Sequence, residues 1–146
     1  MFDVAVDTRI QPQDTPARIL VAEIEPLFAI MLESSLSDFG YHVLGPVENP
    51  QAAIYLAATE HIDAAIVDTN IDGQIAEVVA DRLIERNIPF VFITDRACMF
   101  SLNYSTIPRL QKPFTIDDLH RTIMGLSSSR SLPRNIRKYG QHLPHT

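Results

Sequence analysis

Two short runs, "AAIVD" (64–68) and "PFVFIT" (89–94), are apolar without alternation until their last residue. A strand with one wet face alternates apolar and polar residues. A run with no polar face suits an interior strand of a parallel sheet covered by helices on both sides. Three further runs, "RILVA" (18–22), "HVLGPV" (42–47) and "RLQ" (109–111), are separated from these and from one another by longer stretches. Most of those stretches have helical spacing. Five strands alternating with helices imply right-handed crossovers and an α/β fold with a doubly wound parallel sheet.

The helical stretches carry their own start and stop signals. Phe28, Leu32, Leu36 and Phe39 recur at helical spacing, with Gly40 as a stop. Asn49-Pro50 predicts a second helix, a side-chain cap followed by a proline whose missing N–H costs nothing in the first turn. Ile75, Val79 and Leu83 mark a third. Thr115 followed by Asp118 resembles a capping box with Asp in place of the usual Glu, and Ile116, Leu119, Ile123 and Leu126 give the last helix its apolar stripe. The segment 95–107 has a poor pattern and is expected to be a loop or a short distorted helix. These signals divide the chain into a tail at 1–17, a domain at 18–126 and a basic, flexible tail at 127–146.

At 146 residues, 46% hydrophobic and 21% charged, the chain can bury one core. Its formal net charge of −6 excludes nucleic acid as the main partner, because a phosphate backbone needs a basic face. Cys98 is the single cysteine, so no intrachain disulfide forms and a reducing cytoplasm is the expected setting. Neither a signal peptide nor a membrane-spanning run is found, and no membrane partner is expected.

Ligands of doubly wound sheets gather beyond the carboxyl ends of the strands. Those ends here are Glu23, Ile24 and Glu25 after the first strand, Asp68 after the third, Thr94 after the fourth and Lys112-Pro113 after the fifth. A carboxylate that can attack, an acid that helps hold a cation, a hydroxyl donor and a lysine suit phosphoryl transfer to a carboxylate. Each residue also has an ordinary reading. Asp68 can cap a turn with Asn70 and Gly73, Thr94 is a β-branched strand residue, and Lys112 can be a solvated charge.

The motifs "ILVAEIEPL", "DAAIVDTNIDG", "PFVFIT" and "LQKPF", in this order and spacing, resemble the receiver domains of two-component response regulators over residues 18–125. The irregular stretch before "LQKPF" resembles the subgroup whose helix between the fourth and fifth strands is degraded. The resemblance implies a flavodoxin-like sheet in the order 2-1-3-4-5 and a phosphoacceptor module rather than a turnover enzyme. It further implies that Asp68 accepts the phosphoryl group, that Thr94 donates to a phosphoryl oxygen and that Lys112 neutralises it. Mg2+ would be held by Asp68, the backbone carbonyl of Asn70 and Glu23, and Lys112-Pro113 would be a cis peptide. A histidine kinase or histidine phosphotransfer protein is the implied partner of such a stand-alone receiver, and a second copy of the chain is a further candidate.

Three positions depart from the family pattern. Ile24 replaces the second of two adjacent acids, the one expected to touch Mg2+, so metal affinity and phosphorylation should both fall. Asp95 follows Thr94 where the family favours a tiny residue, and Arg109 stands where an aromatic side chain is usual. The alternative is therefore a pseudo-receiver that signals by protein contacts without Mg2+-dependent phosphorylation. A small hydrolase using Asp68 as nucleophile is disfavoured by the lack of a second acid-base pair.

Overall fold

The computed structural model describes residues 15–47, 49–71, 73–95, 104 and 106–129. A five-stranded parallel sheet in the order 2-1-3-4-5 is built from β1 (Arg18–Ala22), β2 (His42–Leu44), β3 (Ala64–Asp68), β4 (Phe90–Thr94) and β5 (Arg109–Gln111). The helices are α1 (Pro26–Asp38), α2 (Pro50–Thr59), α3 (Gly73–Glu85) and α4 (Ile116–Ser129), with a 3-10 turn at Thr69–Ile71. None of the described helices is long and apolar enough to cross a membrane.

The central strands are buried on both faces, and their alternate residues serve two separate cores. Leu20, Ala65, Val67, Phe90 and Phe92 pack with α2 and α3, whereas Ile19, Val21, Ala64, Ile66, Val91 and Ile93 pack with α1 and α4. This is why the runs carry no polar alternation. Phe90 and Tyr104 both meet Phe92 edge to face, at centroid separations of 5.3 and 5.8 Å. The Tyr104 hydroxyl donates to Asp81 on α3 at 2.7 Å, fastening the chain ahead of β5 to that helix.

The caps follow the sequence signals. Asn49 Oδ1 accepts the Ala52 N–H at 2.9 Å, and Thr115 and Asp118 exchange two hydrogen bonds at 3.1 and 3.0 Å. Gly40, just past α1, takes a φ of 96°. Asn49→Ala is expected to lower the unfolding free energy by about 1 kcal/mol, read as a shift in the urea midpoint at unchanged slope.

Besides β4, which starts at Phe90 rather than Pro89, three boundaries differ from expectation. β2 ends at Leu44 rather than Val47, because Gly45 turns to a φ of 100° and Pro46 has no N–H for the ladder. Phe39 lies one residue beyond α1 as its C-cap and stacks against His120. α4 runs three residues past Leu126, to Ser129, since no proline or glycine stops it there. Residues 96–103 and 105, which include most of the expected irregular segment and Cys98, lie outside the described residues, as do 1–14 and 130–146.

Candidate functional site

Parallel strands end on one side of the sheet, and register brings their last residues together. Asp68 pairs with Ile93, placing Thr94 one step beyond, and Thr94 pairs with Gln111, placing Lys112 one step beyond that. The Lys112 N–H donates to the Thr94 carbonyl at 2.7 Å, so the ladder continues past β5 and delivers the lysine to the pocket. Lys112-Pro113 is cis.

The centre of the pocket is the Lys112 ammonium. It donates to Asp68 Oδ2 at 2.9 Å and lies 3.4 Å from Glu23 Oε1, 3.5 Å from Glu25 Oε1 and 3.8 Å from Asp95 Oδ1. It also stands 4.2 Å above the Phe28 ring, which itself meets Phe114 edge to face. Glu23 and Asp68 are each 1% exposed and Thr94 is 4% exposed, so these groups form the floor. Glu25 and Asp95 stand at the solvent rim.

Asp68 shapes the turn with one oxygen and faces the pocket with the other. Its Oδ1 accepts the Asn70 N–H at 2.9 Å, shaping the 3-10 turn, while Oδ2 takes the lysine. Glu23 behaves similarly: Oε2 accepts the Glu25 N–H at 3.1 Å, and Oε1 is buried without a hydrogen bond. Burial, together with the neighbouring Asp68 carboxyl, pushes the Glu23 carboxyl up to about 8. Burial pulls the Lys112 ammonium down, but the Asp68 hydrogen bond and the charges of Asp68, Glu23 and Asp95 outweigh it and leave the group above its ordinary value.

Ile24, between Glu23 and Glu25 just ahead of α1, is 37% exposed. It offers no oxygen to the pocket. Among the described residues no set of three or more His, Cys, Asp or Glu side chains is arranged to hold a metal ion. Mg2+ keeps several waters and needs only one or two carboxylates, but Ile24 supplies none and Lys112 already engages both Glu23 and Asp68. The residues present therefore fit Mg2+ poorly.

A search of solved structures finds the same fold. The solution structure of SdrG from Sphingomonas melonis Fr1 is 36% identical, covers 77% of this chain and 98% of its own, and superposes with a TM-score of 0.65. This chain is a response regulator receiver. The BeF3-activated conformation of SdrG, attributed to Pseudomonas melonis Fr1, is 37% identical with a TM-score of 0.63, covering 75% and 94% of the two chains. A response regulator receiver protein from Sinorhizobium medicae WSM419 is 27% identical, covers 78% of this chain and 96% of its own, and has a TM-score of 0.63. No protein-family model and no curated protein matches.

The receiver site holds features that the strand-end reading missed. Phe28 was assigned to the core stripe of α1, yet its ring also faces the Lys112 ammonium. Glu25 was given no role, and Asn70 was considered for its carbonyl alone. The structure joins the Asn70 side-chain amide to Asp95, the residue that stands where the family favours a tiny one. Arg109 is exposed and lines a separate cavity of about 420 Å³ with Thr106, Pro108, Thr122, Gly125 and Leu126.

Proposed function

We propose that this receiver accepts a phosphoryl group on Asp68 from a phosphohistidine of a kinase or phosphotransfer protein. The observation that carries the reading is the buried Asp68 carboxylate within 2.9 Å of Lys112, with Thr94 on the adjoining strand end. An Asp68 oxygen bonds to phosphorus as the P–N bond breaks. The electron pair leaves with the imidazole, and the product is an acyl phosphate. Lys112 offsets the charge that this brings into the pocket, and the Thr94 hydroxyl donates to a phosphoryl oxygen. The relationship to SdrG, which has a BeF3-activated conformation, supports the reading.

Ile24 favours a second reading, a pseudo-receiver that works through protein contacts alone. The poor fit to Mg2+ is its support, because a metal offsets charge during transfer. Incubation with acetyl phosphate and Mg2+, followed by intact mass, separates the two for wild type, Asp68→Asn and Ile24→Asp. The first reading expects slow labelling of wild type, faster labelling of Ile24→Asp and none of Asp68→Asn. Labelling of Ile24→Asp alone selects the pseudo-receiver, and labelling that survives Asp68→Asn removes Asp68 from the site.

A further inference from the structure

Asp95 follows directly on Thr94, and its side chain bridges the mouth of the pocket. Oδ2 accepts a hydrogen bond from Asn70 Nδ2, and Oδ1 stands 3.8 Å from Lys112 Nζ. The same Asn70 gives its backbone N–H to Asp68 Oδ1 at 2.9 Å. One residue thus orders the buried carboxylate with its main chain and holds the rim carboxylate with its side chain. The link runs from the end of β3 to the end of β4, across the solvent side of the pocket. Asp95 is 53% exposed while Asp68 is 1% exposed, so an anion arriving from water meets Asp95 first.

We propose that Asp95, clasped by Asn70, is a specificity-determining gate: its carboxylate faces the outward side of Lys112 and turns away small anionic phosphodonors. The inference rests on the phosphoacceptor reading of Asp68. An incoming phosphoryl group is itself anionic and needs the Lys112 charge that Asp95 shares. With Asp95 in place it meets a like charge at the mouth and a partly neutralised cation behind it. A protein donor differs from a free acyl phosphate because its own polar groups can take over the Asn70 amide or pair with Asp95 while it is bound.

The test compares wild type with Asp95→Ala, Asp95→Asn and Asn70→Ala. Asparagine at 95 keeps an acceptor for Asn70 but lacks the charge, whereas Asn70→Ala keeps the charge and frees it. In the labelling reaction an Asp68 oxygen bonds to phosphorus, the P–O bond of acetyl phosphate breaks, and acetate leaves with the electron pair. Labelling of Asp95→Ala is expected to be about tenfold faster than wild type, the scale of removing one half-exposed charge near an arriving anion. Asp95→Asn should approach that rate, and Asn70→Ala should show a smaller rise.

A second measurement needs no transfer. Inorganic phosphate is titrated into each protein and followed by the backbone amide shifts of Asn70 and Thr94, and the affinity of Asp95→Ala should rise by a similar factor. If wild type is labelled but Asp95→Ala is neither faster nor tighter for phosphate, the gate is wrong and the phosphoacceptor reading stands. If no protein is labelled yet phosphate binds Asp95→Ala more tightly, the gate stands as an anion gate and the phosphoacceptor reading falls. If no protein is labelled and Asp95→Ala binds phosphate no more tightly than wild type, both readings fall.

Discussion

Lys112→Met is expected to lower the unfolding free energy at pH 7 by about 3 kcal/mol, measured by urea denaturation. Methionine keeps an unbranched stem of similar length against Phe28, so the change deletes charge more than packing. Asp68 would then be a buried carboxylate without its cation, keeping only the Asn70 N–H. Breaking one partner from a buried pair costs more than the pair contributes, because the remaining charge stays desolvated. The double variant Lys112→Met with Asp68→Asn is therefore expected to recover most of the loss. A double variant no more stable than Lys112→Met would show that the lysine acts through something other than this pair.

The second large effect is a fall in stability as pH rises through neutrality. The Glu23 carboxyl sits at about 8 in the folded protein against an ordinary 4.5, so between these values the folded state binds a proton that the unfolded state has released. Stability from this group is full below about pH 4.5 and is lost as pH rises through 8, by roughly 2–4 kcal/mol. His120, whose imidazole is pulled down by burial against a weaker opposing pull from Asp117, gives the opposite slope in the acid range. Unfolding at pH 5, 7 and 9 without divalent cations, in wild type and Glu23→Gln, isolates the glutamate. Glutamine mimics the neutral acid, so the two should converge at pH 5 and the variant should be the more stable at pH 9. Parallel profiles would refute the assignment.

Both effects arise in a pocket of which the floor was legible in the sequence and the rim was not. β3 and β4 could be read closely because a strand covered on both faces carries its environment in every residue. Asp68, Thr94 and Lys112 then followed from the rule that such strands end on one side. Glu23 and Ile24 were placed by the same step. Gly45 was harder: a Cβ there would lie 2.9 Å from the Val21 carbonyl oxygen, a crowding between segments that no local run reveals. Phe28, Glu25 and the Asn70–Asp95 bond depend on where side chains from three different elements meet. Spacing along one element does not contain that information. Phe28 could have been suspected, since it follows two residues after the proline that starts α1 directly above the pocket.

The two outer strands bear on how copies of this receiver can associate. β2 and β5 are three residues each; β2 is cut off by Gly45 and Pro46, and β5 lies between Pro108 and Pro113. Short edges with proline on one side of β2 and on both sides of β5 leave little backbone on which another chain could template a strand. Edge-to-edge pairing of two copies through these strands is thereby disfavoured.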